Sequence, residues 1–333
     1  RYSTVRWTAA HQMGYAIGPS QTDPRTGEIL NADILISSSF VRGWQQSFSQ
    51  LTPETSAPGD AAGRRPVRPR TPQTLRKVLS PALARRACWA ERGKAQQLGL
   101  QRTLLLARGR MEPGAPMPDD YLGAAIKDLV MHEVGHTLGL RHNFKASSGI
   151  PSDELHDERY TREHGVSLSV MDYAPVNVAL NEDKQGHYWN PNVGPYDEWA
   201  IQYGYMPIAE QAEKGPLTRN GPLADTLTAE TAGLDKIAAA SSDPEHRYGT
   251  DEDTWLGAYA VDPLTNAWEL GHDPKAFARS RTRLVDKVMP KLDERLVAEG
   301  ERYYPLRRAT TSLLLTRYQA LLPVVKSVGG NHV

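Results

Sequence analysis

The first forty residues carry the pattern of apolar and polar positions that is typical of β structure. A short run of strand formers, VRW, lies at 5–7, and two further runs lie at 14–19 and 29–36. An Asp-Pro pair and a Thr-Gly pair between these two runs supply turn chemistry. The pattern therefore predicts one short strand followed by a hairpin over 14–36.

Apolar residues at helical spacing dominate the chain after this hairpin. Residues 52–75 interrupt the spacing, because they are rich in Pro, Gly and Arg and have no apolar period, which predicts a loop. Helices are predicted at 40–51, 76–98, 196–204, 223–241, 274–299 and 305–326.

One further predicted helix is apolar nearly all round, which is typical of a central, buried helix. It starts near Asp119 or Asp120, and either side chain is suited to cap its first N–H groups. Leu122, Leu129 and their neighbours continue it to Gly139, where a glycine commonly ends a helix.

Composition and charge exclude several classes of protein. Lys plus Arg and Asp plus Glu both number 39, so the net charge is zero, which argues against a nucleic-acid partner. No run of apolar residues approaches the roughly 18 that a membrane helix needs. Cys88 is the single cysteine, which rules out an internal disulfide framework.

The length of 333 residues predicts two subdomains. We expect an N-terminal subdomain over 1–143, with the sheet, a helical and Pro-rich insertion at about 40–118 and the central helix. The C-terminal subdomain would cover 144–333 and hold the remaining helices. Because the chain begins at Arg1 and shows no signal peptide, we expect a fragment of a longer precursor, and we expect it to be a monomer.

The central helix carries the residues with the clearest chemistry. His132 and His136 are four positions apart, so both imidazoles project from one helix face toward a single metal ion. Glu133 is offset to the side, where it reaches a water rather than the metal. Gly139 lets the chain turn sharply and bring back His142 as a third ligand, and three protein ligands are typical of one catalytic zinc.

The string H-E-V-G-H-T-L-G-L-R-H, at 132–142, fits the metzincin pattern H-E-x-x-H-x-x-G-x-x-H. That pattern predicts a methionine turn beneath the metal, and SLSVMDYAP at 167–175 places Met171 there as a soft apolar floor. Residues just after Met171, Pro175 among them, are expected to form the wall of a substrate pocket.

The chain resembles the metzincin zinc metallopeptidases, and more closely a family of large secreted bacterial zinc-dependent metalloproteases. This resemblance rests on the strings HEVGHTLGLRHNF and SVMDY, and it is strengthened by the string GPSQTDPRTGEIL near the N-terminus. It implies an α/β (α+β) fold, with a twisted mixed sheet and the active-site helix in the N-terminal part and a mostly helical C-terminal part. It also implies a secreted, periplasmic or cell-surface location.

The resemblance also implies roles for residues outside the helix. Ala16, Ile17 and Gly18 would lie on an antiparallel edge strand whose backbone pairs with an extended protein or peptide substrate. Tyr173 occupies the place where astacins and serralysins carry a tyrosine, so it would ligate zinc or stabilise the charge on the substrate oxygen. The chain departs from minimal metzincins in its long insertion at about 40–118.

The resulting hypothesis is a zinc endopeptidase in which Glu133 acts as general base on water. The alternative is a latent or non-catalytic surface or binding module that contains zinc. Calcium was considered at Asp23 with Glu28 and at the acidic run 251–253, but neither has the regular acidic spacing of an EF-hand.

Overall fold

A four-stranded mixed sheet opens the fold in the computed structural model. The structure describes residues 2–8, 16–37, 91–113, 115–206, 234–254, 262–297, 300 and 303–328. The predicted helix at 40–51 and the predicted loop at 52–75 lie outside the described residues.

The sheet is formed by β1 (Thr4–Thr8), β2 (Ala16–Ile17), β3 (Ser20–Thr22) and β4 (Ile29–Ser37). β4 is central: β1 pairs with it in parallel, whereas β2 and β3 pair with it antiparallel. A turn at 23–28 joins β3 to β4, and Gly27 adopts a positive φ of 76° there. The predicted strand and the predicted hairpin are therefore both confirmed.

Helices make up most of the remaining described chain. They are α1 (Glu91–Ala107), α2 (Asp119–Thr137), α3 (Glu158–His164), α4 (Pro195–Tyr205), α5 (Pro274–Val288), α6 (Leu292–Leu296) and α7 (Tyr304–Lys326). Residues 234–239 are also helical. No described helix is long and apolar enough to cross a membrane.

One hydrophobic core joins the sheet to helices from both halves of the chain. Ile34 and Ile36 of β4 pack in the same cluster as Leu129 of α2, Leu104 of α1 and Leu313 of α7. All five side chains are at least 96% buried. Since burial of such a side chain contributes roughly 1.5–3 kcal/mol, this shared core fixes α2 against the sheet. The mixed α+β fold class is confirmed, while the division into subdomains at residue 143 stays a prediction.

Three details of the predicted helices were wrong. The helix predicted at 76–98 runs to Ala107, because the apolar run before Ala107 is buried in the core. The helix predicted at 274–299 breaks at Met289–Lys291, because Pro290 cannot continue the backbone hydrogen bonds. Pro118, rather than an aspartate, is the N-cap of α2, and Asp119 and Asp120 lie in its first turn. There their charges favour the positive end of the helix dipole.

Candidate metal centre

Three histidines converge at the C-terminal end of α2. His132 and His136 lie one turn apart on this helix, and the helix ends at Thr137. Gly139, with a φ of 91°, reverses the chain and returns His142 toward the other two rings. The three potential ligand atoms all lie within 4.8 Å of one another, close enough for the three histidines to bind a single metal ion.

Each imidazole is oriented by a hydrogen bond from its Nδ1. His132 Nδ1 donates to the Val170 carbonyl at 2.7 Å, and His136 Nδ1 donates to the Leu140 carbonyl at 3.0 Å. His142 Nδ1 donates to Asp251 Oδ1 at 3.0 Å. Because the proton is held on Nδ1 in every ring, each Nε2 keeps its lone pair for a metal ion.

Burial keeps His132 and His136 in the neutral form that binds metal. Desolvation lowers the pKa of His132 well below its usual value and that of His136 to about 4. His136 Nε2 is buried and has no hydrogen-bond partner in the described chain. Neutral imidazoles are the ligand form, and three of them suit zinc, so the donor set fits this ion.

Glu133 lies between the first two ligands in the sequence, and its side chain is fully buried, with 0% exposed. The helix backbone at Glu133 also touches the sheet, since a Cβ added to Gly18 would overlap the Glu133 carbonyl oxygen. The glutamate is therefore held in a rigid element that is backed by the edge of the sheet.

The methionine turn packs directly against the zinc-ligand helix. Met171 is 0% exposed, and a Cβ added to Gly135 would overlap its Sδ atom. Its carbonyl accepts a hydrogen bond from Asn143 N at 3.0 Å, which ties the turn to the residue after His142. Gly135 is thus required by the close approach of the two elements.

Asp197, in the first turn of α4, holds the methionine turn from behind. Its carboxylate accepts hydrogen bonds from Ser169 Oγ at 2.6 Å and from Val170 N at 2.8 Å. Val170 in turn accepts the proton of His132 Nδ1. A chain of hydrogen bonds therefore leads from α4 through the turn to the first metal ligand.

Tyr173 borders the position of the metal. Its hydroxyl donates to His142 Nε2 at 2.9 Å, and its ring packs edge-on against Phe144, with 5.0 Å between the ring centroids. Trp268 also contacts Tyr173, and its backbone N–H donates a hydrogen bond to the Tyr173 carbonyl. The backbone of Trp268 has a positive φ of 68°. A positive φ costs a non-glycine residue roughly 1–2 kcal/mol, so the surrounding packing must hold Trp268 in place.

A family model described as Met-zincin matches residues 114–333, which include the three histidines, Glu133, Met171 and Tyr173. The chain belongs to the Met-zincin family. No curated protein and no solved structure matches it. The predicted metzincin resemblance is confirmed, and the cluster of His132, His136 and His142 fits a zinc site of the family's H-E-x-x-H type.

Asp251 is a residue of this Met-zincin site that the sequence interpretation missed. The acidic run 251–253 was considered only for calcium, yet Asp251 accepts a hydrogen bond from His142. Both carboxylate oxygens of Glu252 accept hydrogen bonds from Arg141 Nη2, at 2.7 and 2.8 Å. Asp23, the other calcium candidate, pairs with Arg25. Because Asp251 is 109 residues from His142, no local spacing could have revealed it.

The predicted substrate-binding residues of the Met-zincin chain lie in two places. Ala16 and Ile17 form β2, which pairs with β4 at one edge of the described sheet, and the Ala16 side chain is fully buried. Gly18 is pressed against α2. Pro175 is buried and lies two residues after Tyr173, past the methionine turn. Their binding of substrate stays a prediction.

Proposed function

We propose that this Met-zincin is a zinc endopeptidase in which Glu133 is the general base. One observation carries the proposal: three imidazoles present Nε2 to one point, and the helix that supplies two of them also supplies a fully buried glutamate. A purely structural zinc site has no need of a buried carboxylate that is not a ligand, and it usually takes four protein ligands.

The residues that would hold zinc are His132, His136 and His142. When bound there, zinc supplies a Lewis acid that polarises a peptide carbonyl and makes water acidic. Glu133 then accepts the proton from the attacking water and delivers it to the nitrogen of the leaving amine.

Tyr173 is proposed to stabilise the negative charge that develops on the carbonyl oxygen. The support is its hydroxyl, which lies 2.9 Å from the metal-facing nitrogen of His142. Phe144 and Trp268 pack against the Tyr173 ring, and such packing pre-organises a donor for the transition state. Ligation of zinc by the same hydroxyl stays a prediction.

The substrate is proposed to bind as an extended strand along β2, with backbone hydrogen bonds to residues 16–18. β2 is at the edge of the described sheet and lies beside α2 at Gly18. Binding through the backbone at a strand edge needs no free peptide terminus, which favours cleavage within a chain. Pro175 is proposed to line the pocket for the side chain next to the cleaved bond.

Peptides blocked at both ends provide the test, because their cleavage requires endopeptidase activity. The wild-type protein is expected to cleave them when loaded with zinc. Glu133→Gln is expected to lower kcat by roughly 10²–10⁴-fold while retaining zinc, since the glutamine cannot accept a proton. Glu158→Gln is the matched control, because its side chain is 63% exposed and forms an ion pair with Arg162.

Tyr173→Phe separates the role of the hydroxyl from that of the ring. It is expected to lower kcat by roughly 10²–10³-fold with little change in KM, which is the loss seen when one oxyanion donor is removed. Full zinc occupancy without cleavage of any blocked peptide by the wild-type protein would instead favour a latent or non-catalytic binding module. The expected secreted, periplasmic or cell-surface location and the monomeric state stay predictions.

A further inference from the structure

A pocket with mixed polar and apolar walls lies beside the segment that follows the methionine turn. It is bounded by residues 152–156, the segment 177–178 and α5. Five of its lining residues are polar or charged, and none is acidic: Ser152, His156, Asn177, Ser280 and Arg281. The pocket is lined entirely by described residues.

Arg281 is the main charge in this pocket, and it is 96% buried. Its Nη2 donates to the Val176 carbonyl, and its guanidinium lies over the Phe277 ring at 5.0 Å. Its Nη1 has no hydrogen-bond partner in the described chain, and no described carboxylate forms an ion pair with it. A buried cation without a counter-charge costs several kcal/mol, so a missing anion would account for this arrangement.

His156 adds a second polar group to the same pocket. Its Nδ1 is buried and has no hydrogen-bond partner among the described residues. Burial, and after it the nearby Arg281 charge, lower the pKa of His156, while a hydrogen bond with the Leu155 backbone acts in the opposite direction. An anion between the two side chains would give both Nδ1 of His156 and Nη1 of Arg281 a hydrogen-bond partner.

We propose that Arg281 and His156 form a binding site for a small oxyanion. The planar guanidinium presents donors in a fork that matches the oxygens of a phosphate or a carboxylate. Ser152 and Ser280 supply hydroxyl donors at the same pocket. The site is separate from the metal centre, and an anion there would also brace the Val176 backbone, which Arg281 already holds.

Thermal unfolding in increasing inorganic phosphate tests this site, with chloride added to keep the ionic strength constant. A ligand that binds only the folded state raises Tm once its concentration exceeds its Kd, and Tm then climbs with the logarithm of the concentration. The wild-type, zinc-loaded protein is expected to show this rise. In Arg281→Met the rise is expected to begin only at phosphate concentrations at least about tenfold higher, because a charge-assisted hydrogen bond is lost.

Arg283→Met is the matched control, because Arg283 lies on the same helix and is exposed. Both variants keep the three histidines, so any binding of phosphate to zinc would appear equally in both. If Arg281→Met fails to fold, Ser280→Asp replaces it: a carboxylate at the pocket should neutralise Arg281 and abolish the phosphate response.

A second arm with acetate identifies the source of the oxyanion. A rise in Tm with phosphate alone indicates a free phosphate-like anion, and a rise with acetate alone indicates a carboxylate. Either result supports the site if Arg281→Met removes the rise. Equal rises with phosphate and chloride, or an unchanged rise in Arg281→Met, would overturn the proposal. The readout is stability, so failure of the peptidase proposal would not affect it.

Discussion

Replacement of Asp251 by alanine should weaken zinc binding without unfolding the protein. The carboxylate holds His142 Nδ1 through oxygens at 3.0 and 3.1 Å, and the other two ligands rely on backbone carbonyls that no substitution removes. Loss of such a partner typically costs 10–100-fold in metal affinity. Half of the Asp251 side chain, 51%, is exposed. Water therefore screens its charge, and we expect the loss of zinc affinity to be at the lower end of this range, about tenfold or 1.4 kcal/mol.

Competition with a chromophoric zinc chelator at neutral pH measures this change. Asp251→Asn keeps an oxygen acceptor and should lose less affinity than Asp251→Ala. Glu252→Ala is the control, since Glu252 anchors the same loop through Arg141 but does not touch a ligand. Zinc affinity within twofold of wild type in Asp251→Ala, or an equal loss in Glu252→Ala, would refute the role assigned to this carboxylate.

Two further predictions concern the packing and the buried charges of the site. Gly135→Ala should destabilise the fold by about 1 kcal/mol, because overlap with Met171 outweighs the better helix propensity of alanine. Gly123→Ala on the same helix should instead stabilise the fold by up to about 1 kcal/mol, because its added Cβ meets nothing within 4 Å. Urea unfolding of both variants checks that the two changes in stability have opposite signs. Burial raises the pKa of Glu269 to about 8 and that of Asp172 to about 7. The folded state therefore holds protons that the unfolded state releases near pH 4. The free energy of unfolding should consequently fall as the pH rises from about 4 to 8. Glu269→Gln should flatten this fall between pH 5 and pH 8, and an unchanged slope would contradict the shift.

The elements defined by local patterns were predictable from the sequence. The apolar run over 122–138 indicates the helix α2, although one side of it is exposed, Val134 included, and not buried as predicted. Turn residues between two runs of strand formers indicate the hairpin. The three metal ligands were predictable for the same reason, since His132 and His136 follow the helical repeat and Gly139 supplies the turn. All of these depend on residues that are close together in the chain.

The parts of the site that were missed depend on distant contacts. Asp251 reaches His142, and Trp268 reaches Tyr173, only after residues 247–251 and 266–268 pack against residues 142–144 and Tyr173. Phe144 N donates to the Gly249 carbonyl, and Asn266 N donates to the Phe144 carbonyl. No spacing rule connects residues that lie so far apart in the chain, so such pairs emerge only from the tertiary fold.

The hydrogen bond between His142 and Asp251 also has a consequence for synthesis of the chain. These residues are 109 positions apart. At the usual 5–20 residues per second, roughly 5–20 s pass between their emergence from a ribosome. During this interval the histidines are already available while the carboxylate that orients the last of them does not yet exist. Tight metal capture is therefore a late event, and an early-emerging fragment holds zinc more weakly than the finished protein.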